Sequence, residues 1–199
     1  MDSRSYQDHF FKKAKISGYR SRSAFKLIEL NSKFKFLKNG IKLLDAGSFP
    51  GGWSQVAAEK IKNGKILSID LKEMDKIKNI FQIKGDFSEE KYKNQIKEYF
   101  KENVDIVLSD MAVNTTGNKN LDSIVTGELC IEALNFAIDV LKKNGQFVSK
   151  IFMGSTFNEI VTIAKKNFIK TYIFKPPASR KESKESFIIC KFLRDEVKK

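Results

Sequence analysis

Residues 43–55 run Leu43-Leu44-Asp45-Ala46-Gly47-Ser48-Phe49-Pro50-Gly51-Gly52-Trp53-Ser54-Gln55, and they carry the clearest indication of the fold. Its pattern predicts the end of a buried strand, a tight glycine-rich turn and the start of a helix. Gly47, Gly51 and Gly52 allow positive φ angles and let the backbone approach a ligand closely. In open α/β sheets, nucleotides bind at the turn that follows the first strand.

An acidic residue closes the next predicted strand, Lys65-Ile66-Leu67-Ser68-Ile69-Asp70. A carboxylate in this place can hold ribose hydroxyls. The glycine spacing differs from the dinucleotide pattern G-x-G-x-x-G, and Asp45 at the start of the turn would repel a pyrophosphate. S-adenosylmethionine carries a sulfonium and an amino group, so it fits this turn better and is the cofactor that we expect. A tight α/β turn without a ligand is the alternative.

Composition and charge narrow the class of protein. The chain has 199 residues, 41% of them hydrophobic, which predicts a single domain over residues 1–199 with a substantial core. Its formal net charge of +13 favours a polyanionic partner, nucleic acid first, although a lysine-rich coding bias is the alternative. No apolar run approaches the ~18 residues of a membrane span, and no signal peptide opens the chain. We expect a monomer that does not bind membranes and lies in the cytoplasm, or in an organelle if a leader has been removed.

The sequence offers little for a metal site or for histidine catalysis. Cys130 and Cys190 have no metal-ligand spacing and lie in apolar runs, which is typical of reduced core residues in an intracellular protein. His9 is the only histidine, which excludes a site built from several histidines. We therefore expect no metal.

Residues 1–22 form a predicted basic N-terminal arm. Its basic residues alternate with aromatic ones, a composition that suits phosphate contacts and base stacking on RNA. The alternative is an arm that Phe10 and Phe11 anchor to the core, and both can hold together. The basic residues are Arg4, Lys12, Lys13, Lys15, Arg20 and Arg22, and the aromatic ones are Tyr6, Phe10, Phe11 and Tyr19.

Strands and helices alternate along the rest of the chain. Predicted strands begin at Ile41 and then cover residues 65–70, 79–84, 104–110, 146–152, 168–174 and 185–193. Predicted helices cover residues 23–37, 53–61 and 88–101, and apolar residues keep helical spacing at 124–141 and 157–164. This order predicts a mainly parallel sheet with helices on both faces. The last two strands lie too close for a helical crossover and should pair antiparallel.

Charged residues mark the carboxyl edge of that sheet. Asp45, Asp70 and Asp110 end three strands, and Asp86 follows another. Lys150 lies inside an apolar run, where an unpaired lysine is expensive to bury, although strand alternation could also point it to solvent. Lys26 lies on a predicted helix, where a solvated lysine is the ordinary interpretation.

Several separate motifs occur in a characteristic order. They are Lys12-Lys13-Ala14, Gly18 to Leu27, Asp45 to Gln55, Gly85-Asp86-Phe87, Ser109 to Ala112 with Asn114 and Gly117, Lys150-Ile151-Phe152, and Pro176 to Glu185. With these motifs, residues 7–193 resemble the FtsJ/RrmJ-type ribosomal RNA 2′-O-ribose methyltransferases. The resemblance implies a Rossmann-like α/β fold, with a seven-stranded, mostly parallel sheet whose last strand is antiparallel.

The resemblance also implies a reaction, the transfer of a methyl group from S-adenosylmethionine to a ribose 2′-hydroxyl. The family uses a Lys-Asp-Lys-Glu tetrad, which falls on Lys26, Asp110, Lys150 and Glu185. It assigns the general base to Lys150, and a lysine serves as a base only when it can give up its proton near neutral pH. The two carboxylates would orient the two lysines.

Cofactor and RNA contacts follow in the same way. The resemblance places cofactor contacts on Gly51, Trp53, Asp70, Asp86 and Asp110, and Asp45, Gly47 and Gly52 of the glycine turn complete the expected set. We expect RNA contacts at Arg20 and Arg22 of the arm and at Arg180 and Lys181 of the basic loop 176–184. The chain departs from the family at Ser48-Phe49, where two alanines are usual, and at Val113, where proline is usual. Phe49 could narrow the cofactor pocket.

The motifs indicate the class of RNA and the nucleotide less clearly than they indicate the reaction. Met111-Ala112 with Asn114, and the short chain, favour the branch that modifies large-subunit ribosomal RNA, with a uridine as the expected nucleotide. Relatives that modify tRNA or messenger caps are the alternative. A non-catalytic RNA-binding factor for ribosome assembly is the alternative of another class.

Overall fold

A computed structural model gives the structure of residues 3–112 and 119–194. The helices are α1 (Ser3–Ile16), α2 (Ser23–Phe34), α3 (Gly52–Lys60), α4 (Glu90–Phe100), α5 (Lys119–Val140) and α6 (Phe157–Asn167). The strands are β1 (Lys42–Ala46), β2 (Lys65–Asp70), β3 (Phe81–Lys84), β4 (Val104–Ser109), β5 (Leu141–Phe152), β6 (Phe168–Phe174) and β7 (Glu185–Leu193).

The strands form one seven-stranded sheet in the order β3-β2-β1-β4-β5-β7-β6. Neighbours from β3 to β5 pair parallel, whereas β7 pairs antiparallel with both β5 and β6. The predicted fold class is confirmed, and so is the antiparallel pairing of the last two strands. The strand order reverses between β1 and β4, and ligands bind in open sheets at such a switch point.

Alternate residues of the strands supply two separate cores. Leu43, Ile106 and Val148 pack against α2 and α3 on one face of the sheet. Their neighbours Leu44 and Val107 pack against α4, α5 and α6 on the other. Because side chains alternate along a strand, the central strands β1 and β4 are apolar on both faces, as expected of a sheet covered by helices on both sides. We call the first side the α2 face.

The N-terminal segment contains an element that the sequence analysis does not assign. Residues 3–16 form α1, and Phe10 and Ala14, four residues apart on this helix, pack against Phe25 and Ala178. The interpretation that Phe10 anchors this segment agrees with its burial, whereas Phe11 is exposed. Only one short apolar stripe is present, so helical periodicity gives little signal.

Strand β5 starts earlier than predicted. Val104 pairs with Leu141 and Ile106 pairs with Gln146, so the residues 142–145 bulge out of the ladder. The predicted turn at Asn144-Gly145 lies in this bulge. In the described part of the chain, no helix is long and apolar enough to span a membrane.

Candidate active site

Strand alternation brings the charged residues to one face of the sheet. Asp45 follows Leu43 by two positions in β1, and Asp110 follows Leu108 by two at the end of β4. Leu43 and Leu108 belong to the core of the α2 face, so both aspartates point to that face. The same spacing holds for Lys150 after Val148 and for Glu185 before Phe187.

Helix α2 places its first turn over these strand ends. The Lys26 Nζ lies 2.7 Å from Glu185 Oε1, and the Lys150 Nζ lies 3.0 Å from Asp110 Oδ1. In the antiparallel register, Lys150 is opposite Phe187, and Phe152 is opposite Glu185. The side chains of Lys150 and Glu185 therefore lie diagonally across from each other on one face of the sheet. The structure therefore brings the four predicted tetrad residues together as two lysine–carboxylate ion pairs.

Lys150 is buried, so the alternative that it points to solvent is wrong. Its side chain is 8% exposed. The ammonium also donates a hydrogen bond of 2.7 Å to the backbone carbonyl of Asp110. Lys26 is likewise largely buried, with 13% of its side chain exposed, unlike the ordinary solvated helix lysine. Buried lysines persist only with such partners.

Glu185 is held by two elements at once. Lys26 Nζ donates to its Oε2 at 2.8 Å, and Ser179 Oγ donates to its Oε1 at 2.8 Å. Burial by itself would raise the pKa of Glu185, but the Lys26 charge and these hydrogen bonds outweigh it, and the pKa lies below its usual value. The contact with Ser179 ties the basic loop 176–184 to the tetrad.

The glycine turn uses a positive φ at two of its three glycines. Gly47 has φ +75° and Gly51 has φ +110°. A Cβ on Gly47 would lie 2.6 Å from Met111 Cγ, so the turn needs glycine there for space as well. Gly52 does not use the positive φ that glycine allows, because it is the first residue of α3. Its missing Cβ makes room for the Ser21 hydroxyl, which belongs to this chain and not to a ligand.

Asp45 is fully buried beneath this turn. Ser54 Oγ donates to its Oδ2 at 2.6 Å, whereas its Oδ1 has no hydrogen-bond partner among the described residues. Burial raises the pKa of Asp45 to about 7, and the charges of Asp110 and Asp70 add to the increase. A buried acceptor without a donor is costly, and a ligand that brings a donor or a positive charge would satisfy it.

Asp70 and Asp86 stand at the ends of the next two strands. Asp70 accepts hydrogen bonds of 2.9 Å from the backbone N–H groups of Phe49 and Lys72. Asp86 accepts from the N–H and the hydroxyl of Ser88, and these bonds lower its pKa. Asp70 thus holds the glycine turn at Phe49, and Asp86 holds the loop that follows β3.

Trp53 and Phe49 occupy different environments. The Trp53 indole is buried, donates from Nε1 to the Ser23 carbonyl at 3.0 Å and lies 5.7 Å from the Phe187 ring. Any contact of Trp53 with a ligand would therefore be made by its backbone. Phe49 is 43% exposed, with the Lys72 ammonium 5.3 Å above its ring.

The residues predicted to contact RNA fall into two pairs. The Arg20 guanidinium donates to the backbone carbonyls of Pro50, Asp75 and Lys76, at 3.5, 2.7 and 3.3 Å. Arg22 donates to the carbonyl of Ala178 at 2.8 Å. In contrast, Arg180 and Lys181 are exposed on their loop.

Arg20 has a role in positioning loops that sequence reasoning missed. Its guanidinium joins the glycine turn to the loop that follows Asp70, and Gln55 fixes its backbone by accepting from the Arg20 N–H at 2.8 Å. The acceptors are backbone carbonyls, which leave no signal in the sequence. Within the residues that the structure describes, no group of histidine, cysteine and acidic side chains could hold a metal ion. Val113, Asn114 and Gly117 lie outside the described residues.

Comparisons with known proteins show the family of the chain. The model of the FtsJ-like methyltransferase family matches residues 19–193. A relative from Pelagibacter ubique is 56% identical over 188 residues, covering 94% of this chain and 93% of the relative. A relative from Rickettsia akari is 44% identical over 193 residues, covering 94% and 85%. Both relatives are named ribosomal RNA large subunit methyltransferase E.

Solved structures show the same architecture. A crystal structure provisionally described as a ribosomal RNA methyltransferase of Plasmodium falciparum superposes with a TM-score of 0.79 at 35% identity, covering 88% of this chain and 98% of that one. A Streptococcus mutans protein, solved in complex with SAH, superposes with a TM-score of 0.57 at 15% identity, covering 83% of this chain and 97% of that one. At that identity the second likeness shows the fold alone.

Proposed function

The chain belongs to the FtsJ-like methyltransferase family, and from this premise we propose that it methylates the ribose 2′-hydroxyl of a nucleotide in large-subunit ribosomal RNA, with a uridine as the expected target. The observation that carries the proposal is the pair of buried lysine–carboxylate contacts beside the glycine turn. The names of the relatives support the choice of RNA.

The residues of the glycine turn fit S-adenosylmethionine. The unpartnered Oδ1 of Asp45 would accept from a cationic group, and Asp70, at the end of β2, would accept from ribose hydroxyls. Asp86 lies at the end of the neighbouring strand, where it would border the adenine. When bound, the cofactor supplies an activated methyl group on a sulfonium.

Lys150 is proposed as the group that takes the proton. A 2′-hydroxyl is a weak acid and must lose its proton as its oxygen bonds to the methyl carbon and the carbon–sulfur bond breaks. The neutral amine form of Lys150 would accept that proton at Nζ. Asp110 contacts the Nζ through both its carboxylate and its backbone carbonyl, and so fixes the position of the nitrogen.

Lys26 and Glu185 are proposed to position the target. They form the second ion pair of the site, and the ammonium of Lys26 would add positive charge beside the reacting oxygen. Because the transfer is an in-line displacement, holding the hydroxyl opposite the sulfonium is a large part of the catalysis. The exposed Arg180 and Lys181 lie on the loop tied to Glu185, where they would meet RNA phosphates.

The test is methyl transfer from labelled S-adenosylmethionine to separated RNA classes. We expect label on large-subunit ribosomal RNA, free or in isolated subunits, and none on tRNA or capped messenger RNA. Label on tRNA would move the target to a different RNA. A thermal-unfolding series with the cofactor tests binding independently, because a ligand at 100 times its Kd adds about 2.7 kcal/mol of stability. The absence of both transfer and binding would contradict the proposal, and Phe49→Ala would then show whether that side chain blocks the pocket.

A further inference from the structure

A band of lysines and aromatic rings covers the outer edge of the α2 face. Strand β6 is an edge strand of the sheet, and Phe34 of α2 contacts its residues Tyr172 and Phe174. We call this band the β6 surface, and it consists of Lys33, Phe34, Lys38, Lys170, Tyr172, Phe174 and Lys191.

Like charges crowd at one end of the β6 surface. Lys170 lies directly opposite Lys191 in the β6–β7 register, an arrangement that destabilises a sheet. Burial lowers the pKa of Lys191, and the nearby charges of Lys170 and Lys38 lower it further. None of these three lysines forms an ion pair with a carboxylate among the described residues.

Among the described residues, Lys191 is the one of these three lysines whose ammonium donates a hydrogen bond to the protein. Lys191 donates to the Phe34 carbonyl at 2.9 Å, at the carboxyl end of α2, where a cation is favourable. Lys38 and Lys170 are exposed, and neither ammonium donates a hydrogen bond to any of the residues that the structure describes. The Lys170 ammonium lies 5.9 Å from the centre of the Phe192 ring, and the charges of Lys38 and Lys170 both add to the repulsion at Lys191.

Aromatic rings lie between the lysines. The Phe34 ring is 5.6 Å from Tyr172 and 5.8 Å from Phe174, and the Lys33 ammonium is 4.1 Å above the Phe174 ring. Tyr172 is 41% exposed. Exposed rings next to cations suit nucleic acid, because bases stack on rings while phosphates bind ammonium groups.

The β6 surface begins close to the tetrad. Phe174 pairs with Phe187, and Phe187 pairs on its other side with Lys150. From Phe174 to Lys170 the strand runs four residues, about 13 Å, away from that end. An RNA chain whose target ribose lies at Lys150 could therefore continue along this surface.

We propose that the β6 surface binds the RNA substrate at nucleotides remote from the methylated one. The inference rests on the proposed function for the identity of the RNA. The polyanion relieves the repulsion among Lys38, Lys170 and Lys191, which a neutral or basic partner would not do. The contact is made to backbone phosphates and stacked bases, so it adds affinity more than sequence preference.

The first experiment removes the charges of Lys38 and Lys170, which are exposed and form no ion pair among the described residues. Lys38→Gln with Lys170→Gln is compared with Lys101→Gln and Lys165→Gln. Lys101 lies just after α4 and Lys165 on α6, on the opposite face, and both are exposed and form no ion pair among the described residues. We expect the first double variant to bind large-subunit RNA roughly tenfold more weakly. The plot of log affinity against log salt concentration should become less steep, by about 1.5 in slope. Its KM for RNA should rise while kcat and cofactor affinity stay constant.

A second pair of variants tests the stacking. Tyr172→Ala should weaken RNA binding at least about fivefold, whereas Tyr172→Phe keeps the ring and should bind as the wild type does. Thermal unfolding without RNA checks that each variant is folded. Loss of the lysine crowding should leave the Lys38/Lys170 double variant at least as stable as the wild type.

The outcomes separate the two proposals. If the wild type methylates ribosomal RNA and the Lys38/Lys170 variant matches the control in RNA affinity and KM, the β6 surface is not an RNA site. If the wild type binds RNA in a way that depends on Lys38 and Lys170 but transfers no methyl group, the proposed function fails and the surface stands. A wild type that binds no RNA would overturn the surface inference as well.

Discussion

Asp45 shows how the environment of one residue sets its chemistry. The carboxyl group is buried, one oxygen is bonded to Ser54, and the other has no partner among the described residues. Burial, with Asp110 and Asp70 nearby, raises its pKa from 3.8 to about 7. The folded protein without a ligand therefore holds a proton there that the unfolded chain releases at lower pH.

The free energy of unfolding should reflect this proton. Between the unfolded pKa of 3.8 and the folded value of about 7, the folded state binds more protons, so stability falls as pH rises. From pH 5 to pH 8 the loss from this group is on the order of 2 kcal/mol. Asp45→Asn should lack this loss, so the free energy of unfolding of the variant should increase relative to that of the wild type as pH rises. Denaturant unfolding without cofactor measures it, and a constant difference between the two proteins would contradict the pKa.

The Arg20 guanidinium should matter for binding of the cofactor. It joins the glycine turn to the carbonyls of residues 75 and 76, so Arg20→Ala should loosen the loop beside the proposed cofactor site. We expect the Kd for S-adenosylmethionine to rise roughly tenfold, because bonds from a charged donor are worth about 1.5–3 kcal/mol. Calorimetry measures the cofactor affinity.

Arg180→Ala is the matched control, because that side chain is exposed on the basic loop. It should weaken RNA binding and leave the cofactor affinity unchanged. If Arg20→Ala instead affected only RNA binding, the guanidinium would contact RNA and would not position the loop.

At the scale of elements, the Lys26–Glu185 pair joins α2 to β7. Both side chains are largely buried, and Glu185 also receives the Ser179 hydroxyl. Because the folded-state pKa of Glu185 lies below its usual value, the pair stabilises the fold above the ordinary glutamate range and loses this effect as pH falls. The same contact that orders the site therefore holds a helix onto the sheet.

Lys26→Met should destabilise the protein by about 3 kcal/mol, because it leaves Glu185 buried without its cation. Lys26→Met with Glu185→Met should recover much of that loss, since no unpaired charge remains. Methyl transfer should be lost in both proteins. Denaturant unfolding of the single and double variants gives the coupling, and additive losses would show that the two side chains do not interact.

The elements could be predicted where a pattern is local. Apolar runs that end in aspartate located β1, β2 and β4, and the short link between β6 and β7 gave their antiparallel pairing. Helix α1 was not predicted because its apolar stripe is short. The role of Gly52 was not predicted because the side chain that a Cβ there would meet, Ser21, is remote in sequence. The meeting of Lys26 with Glu185 joins residues 159 positions apart, which spacing alone cannot show.

At the scale of the whole molecule, the chain has a net charge of +13, whereas the four tetrad charges are balanced in two pairs. The excess is therefore available to a partner. If it binds RNA, log affinity should fall steeply and linearly with log salt concentration, with a slope of roughly −0.7 to −0.9 per phosphate neutralised. Filter binding of large-subunit RNA from 50 to about 200 mM salt measures the slope, and a flat dependence would mean that the lysines only decorate the surface.

The central claim is that Lys150 takes the proton of a ribose 2′-hydroxyl. The most direct test is transfer from labelled S-adenosylmethionine to large ribosomal subunits by the wild type and by Lys150→Met, followed by alkaline hydrolysis of the RNA. We predict label in an alkali-resistant dinucleotide with the wild type, a loss of at least about a hundredfold in the rate with Lys150→Met, and unchanged cofactor binding. Label in alkali-sensitive nucleotides, or full activity of Lys150→Met, would contradict the account.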